Sequence, residues 1–140
     1  MSTAPQSRPP LLAALVYLWT LPTTLLGLWM LPLAALTGGG WRVIDGVLEI
    51  HGGGVRWILR HCTLLKGGAS AMTLGHVVIA QDELLADLTR EHERVHVRQA
   101  ERWGPLFVPA YLGGCLLALA RGQRPYRDNP FEREAYDHCA

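Results

Sequence analysis

Glu91-His92-Glu93-Arg94-Val95-His96 sets two histidines four positions apart, with a glutamate directly after the first. In an α-helix, side chains at i and i+4 stand one above the other, so His92 and His96 can turn two imidazole nitrogens toward one metal ion. Glu93 falls beside them, where its carboxylate can hold and deprotonate a metal-bound water without being a ligand. The surrounding residues favour that helix. From Asp82 to Trp103 the chain is rich in Leu, Ala, Glu, Arg and Gln, lacks Gly and Pro, and opens on acidic residues that suit a helix N-terminus. Leu84, Leu85, Leu88, Val95 and Trp103 recur near helical spacing, which puts the histidines at the margin of a buried stripe. Arg94 and Arg98, also at i and i+4, are expected to face solvent or anionic lipid headgroups.

By length the 140 residues make one domain, but their hydropathy is uneven. Leu11 to Leu36 is a run of 26 residues without a charge. That exceeds the roughly 18 to 20 residues that cross a bilayer, and it exceeds the core of a cleaved signal peptide. It is read as a transmembrane segment over 11–36, with Pro22 and Pro32 either kinking it or dividing it into two half-helices. A second uncharged stretch, Trp103 to Ala120, holds Pro105, Pro109, Gly113 and Gly114. A helix over 105–120 is expected there, packed against the first segment at or in the membrane; a second span, a re-entrant segment and a core helix all fit the composition. Residues 1–10, with three prolines, are expected to form a disordered tail. A net charge of +1 and a pI near 7.8 give no basic field for nucleic acid. Cys62, Cys115 and Cys139 are far apart and odd in number, so free or buried thiols are expected rather than a disulfide framework.

Residues 41–140 hold the rest of the fold. Between Trp41 and Ala80, short β-branched and aromatic runs alternate with glycines: Val43 to Ile50, Val55 to Leu59, and Thr73 to Ala80. They predict a small antiparallel sheet whose last strand leads into the motif helix, so that a sheet edge borders the site and can bind an extended peptide through its main chain. His51, His61 and His76 stand at isolated positions and are expected to be structural.

Two histidines leave a catalytic metal site one protein ligand short. Asp128-Asn129-Pro130-Phe131-Glu132-Arg133-Glu134-Ala135-Tyr136-Asp137 reads as the start of a helix, with Asn129 as N-cap and Pro130 at the first helical position. By position either Glu132 or Glu134 can be the third ligand, and Glu132 also fits a capping box that needs no metal.

His92-Glu93-x-x-His96 followed by Glu132-x-x-Ala135 resembles the gluzincin class of zinc metallopeptidases, in particular small membrane-associated forms. The resemblance implies an α+β, zincin-like minimal domain: a small antiparallel sheet, the motif helix and a glutamate helix, behind an N-terminal transmembrane helix. It implies Zn2+ held by His92, His96 and Glu132, with Glu93 as general base and a peptide or protein as substrate. In place of that family's supporting Asp, this chain has Tyr136, with Asp137 one step further on. Tyr126 and His76 are both open as donors to the oxyanion. The alternative expectation is a non-catalytic membrane scaffold or interaction protein that keeps the metal site for structure. The residues carry no signal for oligomeric state.

Overall fold

The computed structural model describes residues 8–63 and 67–139; most of the tail expected at 1–10 lies outside them. Two helices open the chain, α1 (Pro10–Leu28) and α2 (Met30–Leu36), followed by strands β1 (Gly40–Ile44) and β2 (Val47–His51) and helix α3 (Gly53–His61). Strands β3 (Ala71–Leu74) and β4 (Val77–Ala80) lead into α4 (Glu83–Trp103), α5 (Phe107–Ala120) and α6 (Pro130–Cys139). The break after Leu28 sits four residues before Pro32, which has no N–H to offer that carbonyl and whose ring crowds it.

The sheet is mixed, not antiparallel as expected. Its order is β1-β2-β4-β3; β1–β2 and β3–β4 are antiparallel hairpins, and β2 and β4 pair in parallel. A parallel pair needs a crossover, and the run Val55 to Leu59, expected as a strand, is part of the crossover helix α3. Val55 and Leu59 are both fully buried at i and i+4 while Arg56 is exposed, the spacing of an amphipathic helix rather than a strand. The runs Val43 to Ile50 and Thr73 to Ala80 are likewise not single strands. Each folds back through a two-residue turn, Asp45-Gly46 and Gly75-His76, and both Asp45 and Gly46 have positive φ, as such tight hairpins require.

Central strand β4 is buried throughout, and the two faces of the sheet are covered differently. Ile50, Val77 and Ile79 pack with Val55 and Leu59 of α3 and Ala34 of α2; Val47 and Val78 pack with Val97 of α4. On the α4 face, the register lines up Arg42, Glu49, Val78 and Thr73 as one row across all four strands. Arg90 and Arg94 of α4 donate to Glu49, and Thr73 donates to Glu93 of α4, so this row sets the rotation of the motif helix. Arg94 therefore does not face solvent as expected; it bridges Glu49 and the carbonyl of Ile44.

Helix α1 lies along the domain. Its inward face is small and polar: Thr20, Thr23 and Gly27 are buried, while Leu11, Leu15, Leu18 and Leu25 are exposed. Tyr17 donates to the carbonyl of Gly46 in one hairpin turn, and Thr24 accepts from the N–H of His76 in the other. Gly27 lets the helix close on β4, because a Cβ there would lie 2.5 Å from that of Val77. Helix α5 packs mainly against α4 and α6, while α1 meets the turn Gly104–Leu106 that precedes it. Two helical stretches, Pro10–Leu36 and Glu83–Ala120, are each long and apolar enough to cross a membrane.

Candidate metal centre

Helix α4 runs from Glu83 to Trp103, within one residue of the expected start. Asp82 is its N-cap and accepts from the N–H of Leu85; at the other end, Gly104 with φ 57° and the following Pro105 stop it. Helix α6 begins at Pro130, with the Asn129 carboxamide oxygen accepting from the N–H of Phe131. The two helices pack together, and three ligand atoms converge where they meet.

His92, His96 and Glu132 offer ligand atoms that all lie within 4.8 Å of one another, a group that could hold a metal ion. The Nε2 atoms of His92 and His96 are 3.2 Å apart, and the Glu132 carboxylate spans them at 2.9 Å and 3.2 Å. Tyr111 of α5 donates to the same carboxylate at 2.5 Å. Glu132 thus serves these side chains rather than a capping box. Glu134, the other carboxylate open by position, points away and lies 3.8 Å from Arg102.

The charges of the group are mutually set. Burial alone would push Glu132 upward, but hydrogen bonds from His92, His96 and Tyr111 hold its carboxyl well below the usual range. Burial lowers His96, yet Glu132 and the nearby Glu93 overcome it and raise the imidazole to about 9. Glu93 is the reverse of Glu132. It is buried beside the histidines with the Thr73 hydroxyl donating to Oε2 at 2.6 Å, and desolvation drives its carboxyl upward.

Beside these residues opens a cleft of about 600 Å³, lined among others by Met72 and Thr73 of β3, Leu88 and Glu93 of α4, and Val108 and Tyr111 of α5. β3 is an outer strand of the sheet, so a sheet edge does border the site, as expected. Tyr126 also lines the cleft. His76 does not. Its ring is buried against Tyr17, with Nδ1 2.8 Å from Thr20 Oγ1 and Nε2 2.9 Å from Glu101. His61 stacks on Trp57 and His51 ends β2, so neither joins the group, in keeping with the structural placement expected for both. Tyr136, at the position of the expected Asp, meets the His92 ring edge-on at 4.8 Å and carries Arg127 over its own ring.

Three residues of the site were not singled out by sequence: Thr73, Tyr111 and Gln99. Gln99 is fully buried, its Oε1 2.8 Å from His96 Nδ1 and its Nε2 donating to the carbonyl of Phe131. Its position three residues after His96, on the same helix face, was a usable signal. Thr73 and Tyr111 reach the site only through packing of separate elements. Cys62, Cys115 and Cys139 are free thiols, as expected. Comparison of the chain with protein-family models, with curated proteins and with solved structures finds no match.

Proposed function

We propose that this protein is a membrane-bound zinc metallopeptidase of gluzincin type, with His92, His96 and Glu132 as zinc ligands and Glu93 as general base. The observation that carries the reading is the convergence of two imidazoles and one carboxylate within 4.8 Å, on two crossing helices, next to a buried glutamate. Two nitrogens and one carboxylate oxygen suit zinc, and three protein ligands leave one position for water or substrate, the pattern of a catalytic rather than a closed site. A purely structural site needs a fourth ligand, and among the described residues the group has three.

Zinc held by His92, His96 and Glu132 would acidify a water toward neutrality and polarise a substrate carbonyl. Glu93 does the proton work. Thr73 occupies its Oε2, leaving Oε1 to take the proton of the attacking water and pass it to the leaving amine. A carboxyl raised by burial is better matched to that task than one at its ordinary value. Tyr111 holds Glu132 in place through its hydroxyl. The edge of β3 supports binding of an extended chain along the cleft.

The bilayer reading rests on what the apolar helices leave outside. Only 17% of the most apolar window of Pro10–Leu36 is buried in the protein, whereas a core helix would be mostly covered. Leu112, Leu116 and Leu119 give α5 a similar outward surface. The full chain in detergent should bind about one zinc, lost in His96→Ala and Glu132→Ala. Glu93→Gln should keep the zinc while cleavage of an unfolded protein falls about 100-fold or more. Zinc-loaded Glu93→Gln that cleaves like the wild type would refute the mechanism.

A further inference from the structure

Gln99 touches both ligand-bearing helices. Its side chain is 0% exposed; Nε2 lies 3.0 Å from the carbonyl oxygen of Phe131, the residue before Glu132, and Oε1 lies 2.8 Å from His96 Nδ1. The backbone carbonyl decides the rest. A carbonyl only accepts, so the amide nitrogen must face Phe131, and the amide oxygen then faces His96. That oxygen also only accepts, so Nδ1 must carry a proton; the proton that Nε2 donates to Glu132 is then the one a metal displaces, leaving the lone pair of the neutral ring on Nε2. Nε2 is the atom turned toward His92 and Glu132.

Resting on the metal-site reading above, we propose that Gln99 is a positioning residue: it locks His96 as the Nδ1–H tautomer and ties that ring, through the Phe131 backbone, to the helix carrying Glu132. Metal-bound imidazoles normally donate their other nitrogen to a fixed acceptor, which sets the ring angle and the tautomer. The position where a carboxylate would be expected for this duty holds Tyr136, and Tyr136 meets the other histidine. Gln99 supplies the acceptor from within α4. Being neutral, it adds no third negative charge beside Glu93 and Glu132.

The test uses the full chain in detergent with zinc as the probe. Nitrogen-15 spectra of the zinc-loaded wild type should show His96 bound through Nε2 with a slowly exchanging Nδ1 proton. Gln99→Leu, which removes the acceptor, should weaken zinc binding about 10- to 100-fold and lose that protected proton. Gln99→Glu restores an acceptor to His96 Nδ1 but not the donor to the Phe131 carbonyl, so the folded, zinc-loaded variant should regain the protected Nδ1 proton while recovering only part of the affinity, an outcome that core packing alone does not give. Zinc on Nδ1 of His96 in the wild type overturns the proposal, and this measurement stands even where Gln99→Leu fails to fold. Folded Gln99→Leu binding within about twofold of wild type overturns it too, as does folded, zinc-loaded Gln99→Glu without a protected Nδ1 proton. A wild type that takes up no zinc is a different result and overturns the metal site itself.

Discussion

Two glutamates are buried between the sheet and α4, and they have opposite chemistry. Glu49, on β2, is 2% exposed and accepts hydrogen bonds from Arg42, Arg90 and Arg94. Burial would raise its carboxyl, but the three guanidinium groups outweigh it and the pKa falls. Glu93, on α4, is 5% exposed and has a single hydroxyl, that of Thr73, on its carboxylate; there desolvation wins and the pKa rises. Glu49 and Thr73 belong to the same cross-strand row, so one row of the sheet neutralises one carboxylate and leaves the other poised to accept a proton. Burial alone does not assign a role to a carboxylate. The donors around it do.

Breaking each side of this contrast should therefore give effects of opposite kind. Glu49→Gln leaves three arginines around a neutral amide and should cost about 3 kcal/mol of stability, the low end for a broken buried pair because Arg42 and Arg90 still reach solvent. Glu93→Gln removes a carboxylate that is costly to bury, and its stability should lie within about 1 kcal/mol of wild type or above it, with cleavage lost. Denaturant unfolding in detergent measures both, and equal destabilisation would erase the distinction. The pH dependence sharpens it. Because the folded pKa of Glu49 lies below its ordinary value of 4.5, its stabilisation is complete above that value and is lost as pH falls through the folded one. Wild type should lose stability over this acid range, and Glu49→Gln should show a flatter profile. The smallest effect is at Thr73. Thr73→Val removes the one hydroxyl that favours ionised Glu93, so the acid limb of the pH–rate profile should move up by about one unit or less, with about 1 kcal/mol lost in stability. An unmoved limb would mean that Glu93 is not the group titrating there.

The helices that carry the site were legible because their signals are local. Asp82 and Asn129 announce N-caps, Pro130 a first turn, and the His92–His96 spacing needs only a helix to become a pair. The sheet was read less well. Val55 to Leu59 is short and apolar, and such a run does not distinguish strand from helix; the parallel pairing of β2 with β4 decides it, a contact between residues nearly thirty positions apart. Asp45-Gly46 did carry a hairpin signal inside the run read as one strand. By sequence Arg94 reads as facing solvent or lipid headgroups because its partner, Glu49, is on another element, and Tyr111 carries no signal because α5 reads as only apolar. Local chemistry was readable; the strand pairing and the partners of Arg94 and Tyr111 were not, and Glu132 was singled out from Glu134 only through the resemblance.

His92 and Glu132 are 40 positions apart in the chain yet meet at 2.9 Å. A metal shared by α4 and α6 would join the two ends of a long segment that contains all of α5, as a covalent cross-link would. Most of what such a clip contributes comes from the states it denies to the open chain, a term that grows with the logarithm of the enclosed length. An ion bound there would fasten the C-terminal third, whatever chemistry it also served. A chelator would loosen α5 and α6 together while the sheet, clamped to α4 through Glu49, stayed folded.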